Sequence, residues 1–279
     1  MAAITKEELE DKAKSGQRWY GLNLEGLNLS EANLSGLLLA KSNLKGVVMK
    51  GVNMECADLS DSNMVGADLR DAYLRESVFN RVNLTGANLS GAVMQEASFW
   101  NATLHKAQFI DSVLNGAILV GAQAHLADFS QSQLRRAILN GGRFLACLMV
   151  DVKADRLRAV KTDFTGTTFK GAVLDMSVLM GANFTMSDLE DAKVRGCALK
   201  MANLMACSMG RAQFVKANLE QAKLFMVKAE KASFLQAILK GAVMKEGEFT
   251  GAVFDGAHME GALTEGARME GATFNNTVK

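Results

Sequence analysis

The sequence predicts an all-β solenoid of stacked coils, closed on its N-terminal side by one short helix. The prediction rests on a five-residue phase and on what the chain lacks. A large apolar position recurs every five residues without insertion or deletion, and a small residue keeps the same phase two places earlier. The 279 residues include no proline and only 6% aromatics, whereas an ordinary domain of this size places prolines in its loops.

The large positions run Leu24, Leu29, Leu34, Leu39, Leu44, Met49 and on to Phe274. Leu, Met or Phe fills 45 of these 51 positions. The exceptions are Ala124, Ala154, Ala159, Val194, Ala229 and Thr264. Two residues earlier, a small residue or valine fills 47 of 51 positions, with Leu22, Leu27, Leu37 and Leu157 as exceptions. Of the 25 glycines, 22 lie two residues after a large position or continue that phase, from Gly16 to Gly271. A period of five matches neither the 3.6 of a helix nor the 2.0 of a strand. On a helix such a stripe would wind around the cylinder instead of forming one face. One large and one small residue per five therefore face a shared interior, and the other three face water. The chain turns within each five, which glycine eases. Such units bury their apolar residues only by stacking on one another.

Segments such as EANLSG, GADLRDAYL, GANLSGAVM and GANFTMSDL follow the pattern A(D/N)LXX. Over residues 22–276 the chain resembles the bacterial pentapeptide-repeat family. The resemblance implies a right-handed quadrilateral β-helix with four pentapeptides per coil, so that residues 20 apart stack. At about 4.8 Å per coil, nearly 13 coils would make a rod of about 60 Å.

Residues 1–21 read as a helical cap and lead-in, 22–276 as the repeat and 277–279 as a tail. Within the lead-in, residues 5–16 carry a capping box, Thr5 with Glu8, and a terminating Gly16. Leu9 and Ala13 share a face that would cover the first coil, with Trp19 and Tyr20 sealing the junction. Covering matters because an open β-helix end exposes strand edges. At the other end the repeat runs through Phe274 without a comparable element. That end is expected to be dimerised, docked on a partner or frayed.

Net charge is +1, from 31 basic and 30 acidic residues. This balance argues against bulk attraction to nucleic acid or an anionic membrane. No apolar run approaches a spanning helix, and the charged start MAAITKEELEDKAKSGQ has no signal-peptide core. The expectation is a cytoplasmic protein.

No catalytic constellation emerges. His105 and His125 would stack on adjacent coils, but no third metal ligand accompanies them, and they read as ordinary polar side chains facing water. Cys147, Cys197 and Cys207 occupy the small inward position and read as compact hydrophobes without disulfides. No metal or cofactor is expected. Residues 150–162 are the weakest stretch of repeat. Ala154 and Ala159 remove core volume while Leu157 adds it, which leaves both local compensation and an outward excursion open.

The residue after each large position should be exposed, and in this chain it is repeatedly apolar, as at Trp100, Val120, Met205 and Phe225. Met205 and Phe225 should be stacked neighbours, flanked by Met186 and Met226. An exposed apolar patch marks a contact surface. These six residues are the candidate partner-binding set, and the function read from them is a non-enzymatic structural or protein-interaction scaffold. The family resemblance implies two finer versions. One is an accessory or adaptor of a bacterial contractile, type VI-like secretion system. The other is a DNA mimic that binds DNA gyrase, which the balanced charge suits poorly.

Overall fold

The computed structural model describes residues 4–279; the first three residues of the lead-in lie outside the described residues. The chain forms two compact units, Met1–Ile138 and Leu139–Lys279. Each is a right-handed, four-sided β-helix in which residues 20 apart pair in parallel, as Asn43 with Asn63 in the first unit and Asn183 with Asn203 in the second. The pairing begins at β1 (Arg18–Tyr20), which lies against β2 (Leu38–Ala40), inside the segment read as lead-in. It extends to Val278, paired with His258, inside the segment read as tail.

Helix α1 spans Lys6–Ser15. Thr5 caps it through a complete capping box with Glu8, and Gly16 ends it at φ 63°. Its buried face is Leu9 and Ala13, as the spacing predicts. Lys6 donates to the Ser30 carbonyl at 2.9 Å, and the Glu10 carboxylate accepts from the Asn33 N–H at 3.0 Å, tying the helix to the first coil. Trp19 is half-buried with the Lys12 ammonium 3.6 Å from its ring centre. Tyr20 corrects the prediction: the last residue of β1, it is exposed, so it does not seal the junction.

The repeat follows from a hydrogen-bond count over five N–H groups. In the coil at Leu24, the Leu24 N–H donates to the Asn43 carbonyl at 2.7 Å and the Gly26 N–H to the Lys45 carbonyl at 3.0 Å. The Leu27 N–H closes the turn onto the Leu24 carbonyl at 3.1 Å. One coil on, the Asn43 N–H returns to the Leu22 carbonyl at 2.8 Å. That pattern serves four of every five. The fifth, on the residue after the large position, needs a side chain. Where Asn or Asp precedes the large residue, its Oδ1 accepts, as Asp58 does from Ser60 at 2.9 Å and Asp188 from Glu190 at 2.9 Å. This is the Asx turn, and it is the physical reason for D/N in the motif. In several repeats that lack that residue, a side chain one coil earlier serves. Asn80 accepts from the Trp100 N–H at 3.1 Å, and Asp175 from the Arg195 N–H at 3.0 Å.

The second turn residue holds a positive φ at every fifth position from Gly16 to Asn276, and 31 of these residues are not glycine. Each such residue carries roughly 1–2 kcal/mol of backbone cost that glycine avoids.

Inside each unit the large residues stack from coil to coil. Phe79 lies on Phe99 with centroids 5.0 Å apart, Phe109 on Phe129 at 4.6 Å, and Phe214, Phe234, Phe254 and Phe274 continue one column. The 150–162 stretch makes no excursion. Asp151, Arg156 and Lys161 keep the positive-φ phase, and Leu157 is buried beside the two smaller residues Ala154 and Ala159. Local compensation is what the structure shows.

Candidate protein-docking surface

Four of the six sequence-predicted residues meet at one corner of the second unit. The Met186 N–H donates to the Met205 carbonyl at 3.0 Å, the Ala206 N–H to the Phe225 carbonyl at 2.9 Å, and the Met226 N–H to the Lys245 carbonyl at 3.1 Å. Met205 and Phe225 are therefore consecutive in one column. Met186, Ala206 and Met226 are consecutive in the next, at φ near 57°. Behind them Leu204 and Leu224 fill the core, so the corner is rigidly backed. Met186, Met205 and Met226 are exposed. Phe225, expected to be exposed, is half-buried.

The neighbouring column is polar. Asn203 pairs with Lys223, and the Asn203 side chain accepts from the Met205 N–H at 3.2 Å while donating to Thr185 Oγ1 at 2.9 Å. Lys223 stands where an Asn or Asp would serve the Phe225 N–H, and Met205 stands where the preceding coil would supply an acceptor. The corner thus combines flexible apolar side chains, one aromatic anchor and a polar margin.

The other two predicted residues lie in the first unit. The Asn101 N–H donates to the Val120 carbonyl at 2.9 Å, so Trp100 and Val120 belong to adjacent coils. Trp100 is exposed and Val120 half-buried, with exposed Ile118 beside them. The Arg81 guanidinium sits 5.8 Å from the Trp100 ring centre while two of its nitrogens, Nε and Nη2, donate to the Asp61 carboxylate at 2.6 and 2.7 Å. The arginine holds the Asp61 carboxyl below its usual range through that hydrogen bond.

Sequence reasoning passed over Met176 and Met201, both exposed, and Tyr73, exposed on a flat side. A scan of the two remaining outward positions of each repeat would have found them.

The titratable groups are placed for structural use. Arg211 binds Asp191, and Arg195 binds Asp175, each across one coil. His105 Nδ1 accepts from the His125 N–H at 3.1 Å, so that nitrogen is committed to the backbone. Burial, with the nearby His125, lowers the His105 pKa. Among the described residues no group of three or more His, Cys, Asp or Glu is placed to hold a metal ion. Cys197 and Cys207 donate to the Leu174 and Phe184 carbonyls at 2.9 and 2.8 Å, and burial pushes both thiols up to about 12. No described helix is long and apolar enough to cross a membrane. In the last coil Met259, Thr264, Met269 and Phe274 border a cavity of about 460 Å³, and Thr264 is exposed at its large position.

A family model for pentapeptide repeats matches residues 28–66, 62–101, 102–141 and 187–224, together more than half of the chain, in eight copies. Among solved structures, the chain is similar to HetL, a pentapeptide repeat protein involved in heterocyst differentiation regulation in the cyanobacterium Nostoc. Identity is 21%, coverage is 97% of each chain and the TM-score is 0.44. It is also similar to QnrB1, a plasmid-mediated fluoroquinolone resistance protein, at 20% identity, covering 66% of this chain and 81% of that one with a TM-score of 0.28. A pentapeptide repeat protein of the Arabidopsis thaliana thylakoid lumen is 28% identical over 38% of this chain and 66% of that one, with a TM-score of 0.23. No curated protein matches the chain.

Proposed function

The chain belongs to the pentapeptide-repeat family, and on that premise we propose that it is a non-enzymatic scaffold that docks another protein on the Met186–Met205–Phe225–Met226 corner. One observation carries this reading. Three consecutive coils hold Met186, Met205 and Met226 out to solvent, the first and last at turn positions where glycine would fit the backbone better, beside a half-buried phenylalanine. Those methionines gain little for the fold. Met and aromatic residues are enriched at the cores of protein interfaces, and a rigid backing lowers the ordering cost of binding. Trp100 and Val120 supply a second, smaller contact on the first unit in this proposal.

The finer version is an adaptor of a bacterial contractile, type VI-like secretion system, working in the cytoplasm, and it rests on the family resemblance. DNA gyrase is the alternative partner. A DNA mimic needs a free acidic surface, and the engagement of Asp61, Asp175 and Asp191 by arginines weighs against it.

The test is capture from the native host by wild type and by Phe225→Asp, with melting temperatures measured on both. The proposal expects a folded variant that loses the partner. Undiminished capture by a folded variant removes this corner. A gyrase supercoiling assay with purified protein tests the alternative directly.

A further inference from the structure

The exposed methionines of the second unit extend beyond the proposed docking corner. Of the chain's 16 methionines, eight (Met49 through Met259) are buried in large positions of the repeat. Six others, Met176, Met180, Met186, Met201, Met205 and Met226, are between 38% and 66% exposed. They occupy three of the four corners. Met176 stands at one. Met180 and Met201 share the next, where the Gly181 N–H donates to the Lys200 carbonyl at 3.0 Å. Met186, Met205 and Met226 make the third. Four of the six hold φ between 56° and 59°, the conformation that suits glycine. What the six share is an accessible thioether.

We propose that this belt is a reversible oxidation site for hydrogen peroxide. In each case a sulfur lone pair attacks one peroxide oxygen, the O–O bond breaks, and an S–O bond forms. The second oxygen leaves as water after taking up a proton. Sulfur loses two electrons and the peroxide oxygens gain them. Reduction of the sulfoxide by two thiols returns the thioether and yields a disulfide and water, the chemistry of methionine sulfoxide reductases.

The surroundings suit this role. Met176 Sδ lies over Gly196, where a Cβ would stand 2.6 Å from it, so the glycine leaves the sulfur room. Met180 and Met201 line an open groove of about 390 Å³ with Val160, Gly181, Lys161 and Lys200. The eight buried methionines are screened by the coils that hold them, so the core survives oxidation of the belt. Resting on the docking reading, a further consequence follows at the third corner. Sulfoxides at Met186, Met205 and Met226 turn an apolar contact polar and release the partner.

The experiment treats the full-length protein with graded hydrogen peroxide and maps oxygen uptake by peptide mass spectrometry. The six belt methionines should oxidise within about threefold of the rate of free methionine, because susceptibility follows exposure. Met149, Met209 and Met244 should stay unmodified, with circular dichroism and melting temperature unchanged. Comparable oxidation of those three, or unfolding before the six are complete, overturns the proposal. So does failure of the two sulfoxide reductases, one for each epimer, to restore the starting mass. A variant with all six changed Met→Leu keeps the apolar character and removes the sulfur. It should capture the partner before and after peroxide, whereas wild type should capture it only before. Capture by wild type unaffected by peroxide overturns the release step. If Phe225→Asp leaves capture intact, the docking reading alone fails and the oxidation map still decides the belt.

Discussion

Met186 donates its backbone N–H to the carbonyl of Met205 across one coil at 3.0 Å while holding a φ of 57°. The two side chains therefore stand side by side on a corner whose backbone favours glycine at the first of them. Gly166 holds that same turn position one coil earlier on this corner, and Gly181 and Gly196 hold it at other corners.

Met186→Gly should accordingly stabilise the protein while weakening the proposed contact. Removing a non-glycine residue from the left-handed region relieves about 1 kcal/mol, partly offset by the extra entropy of glycine in the unfolded chain. Differential scanning calorimetry should show a melting temperature equal to or above wild type, and pull-down should show reduced capture. A clear loss of stability would mean that the Met186 side chain packs against its neighbours and is not held out for a partner.

The core makes the opposite demand. Phe234 is buried between Phe214 and Phe254, with ring centroids 5.3 and 5.0 Å away and near-parallel planes. Phe234→Ala should cost about 3–5 kcal/mol, because coils held by ladder hydrogen bonds close poorly around a cavity. Leu119→Ala in the first unit should cost about 2–5 kcal/mol, whereas exposed Lys45→Ala should stay within about 0.5 kcal/mol. Guanidinium denaturation of the three variants checks the order.

The interior was legible because burial repeats: Leu24, Leu29 and Leu34 each fill the same position, and any one of them sets the phase. The helix was legible for a different reason, since Thr5 and Glu8 form a local motif that needs no tertiary context. The number of sides was not contained in a period of five and came from the family resemblance. The outward residues were only partly legible. Phe225 was read as exposed because the pattern assigns a direction but not how far neighbouring coils cover a large ring. Met176 and Met201 share the turn position of Met186 and Met226, which stand out in the sequence only as flanks of Met205 and Phe225. The left-handed conformation that makes methionine unusual there appears only when the turn closes.

Cysteine reactivity follows from the same inward–outward division. Cys147, Cys197 and Cys207 are buried, and burial pushes the last two thiols up to about 12, so their thiolate form is scarce at neutral pH. Cys56 is exposed at a turn position. In native protein at pH 8, a thiol-reactive dye should label Cys56 alone of the four cysteines, and the other three only after unfolding. Rapid labelling of Cys197 or Cys207 in the native state would show that the coils around them open readily.

His105 makes one feature of the turn pH-dependent. Its Nδ1 accepts the His125 N–H at 3.1 Å, the task that Asn80 performs for Trp100 and Asn115 for Arg135. Protonation at Nδ1 would turn the acceptor into a donor, and burial together with the neighbouring His125 lowers the His105 pKa. A histidine depressed in the folded state contributes stability that is fully present above its unfolded value, about 6.5. That contribution is lost as the pH falls from there through the folded pKa, because the unfolded chain takes up the proton first. His105→Asn keeps an acceptor and cannot titrate, so it should match wild type at pH 8 and lose less stability than wild type between about pH 6.5 and 5. His105→Leu removes the acceptor and cannot titrate, so it should cost about 1 kcal/mol at pH 8 and less, measured against wild type, as the pH falls. Denaturant midpoints of the three proteins across this range, with the His105 ring titrated by NMR, give the answer. Parallel pH profiles for wild type and His105→Asn would show that the ring carries no folding-linked proton.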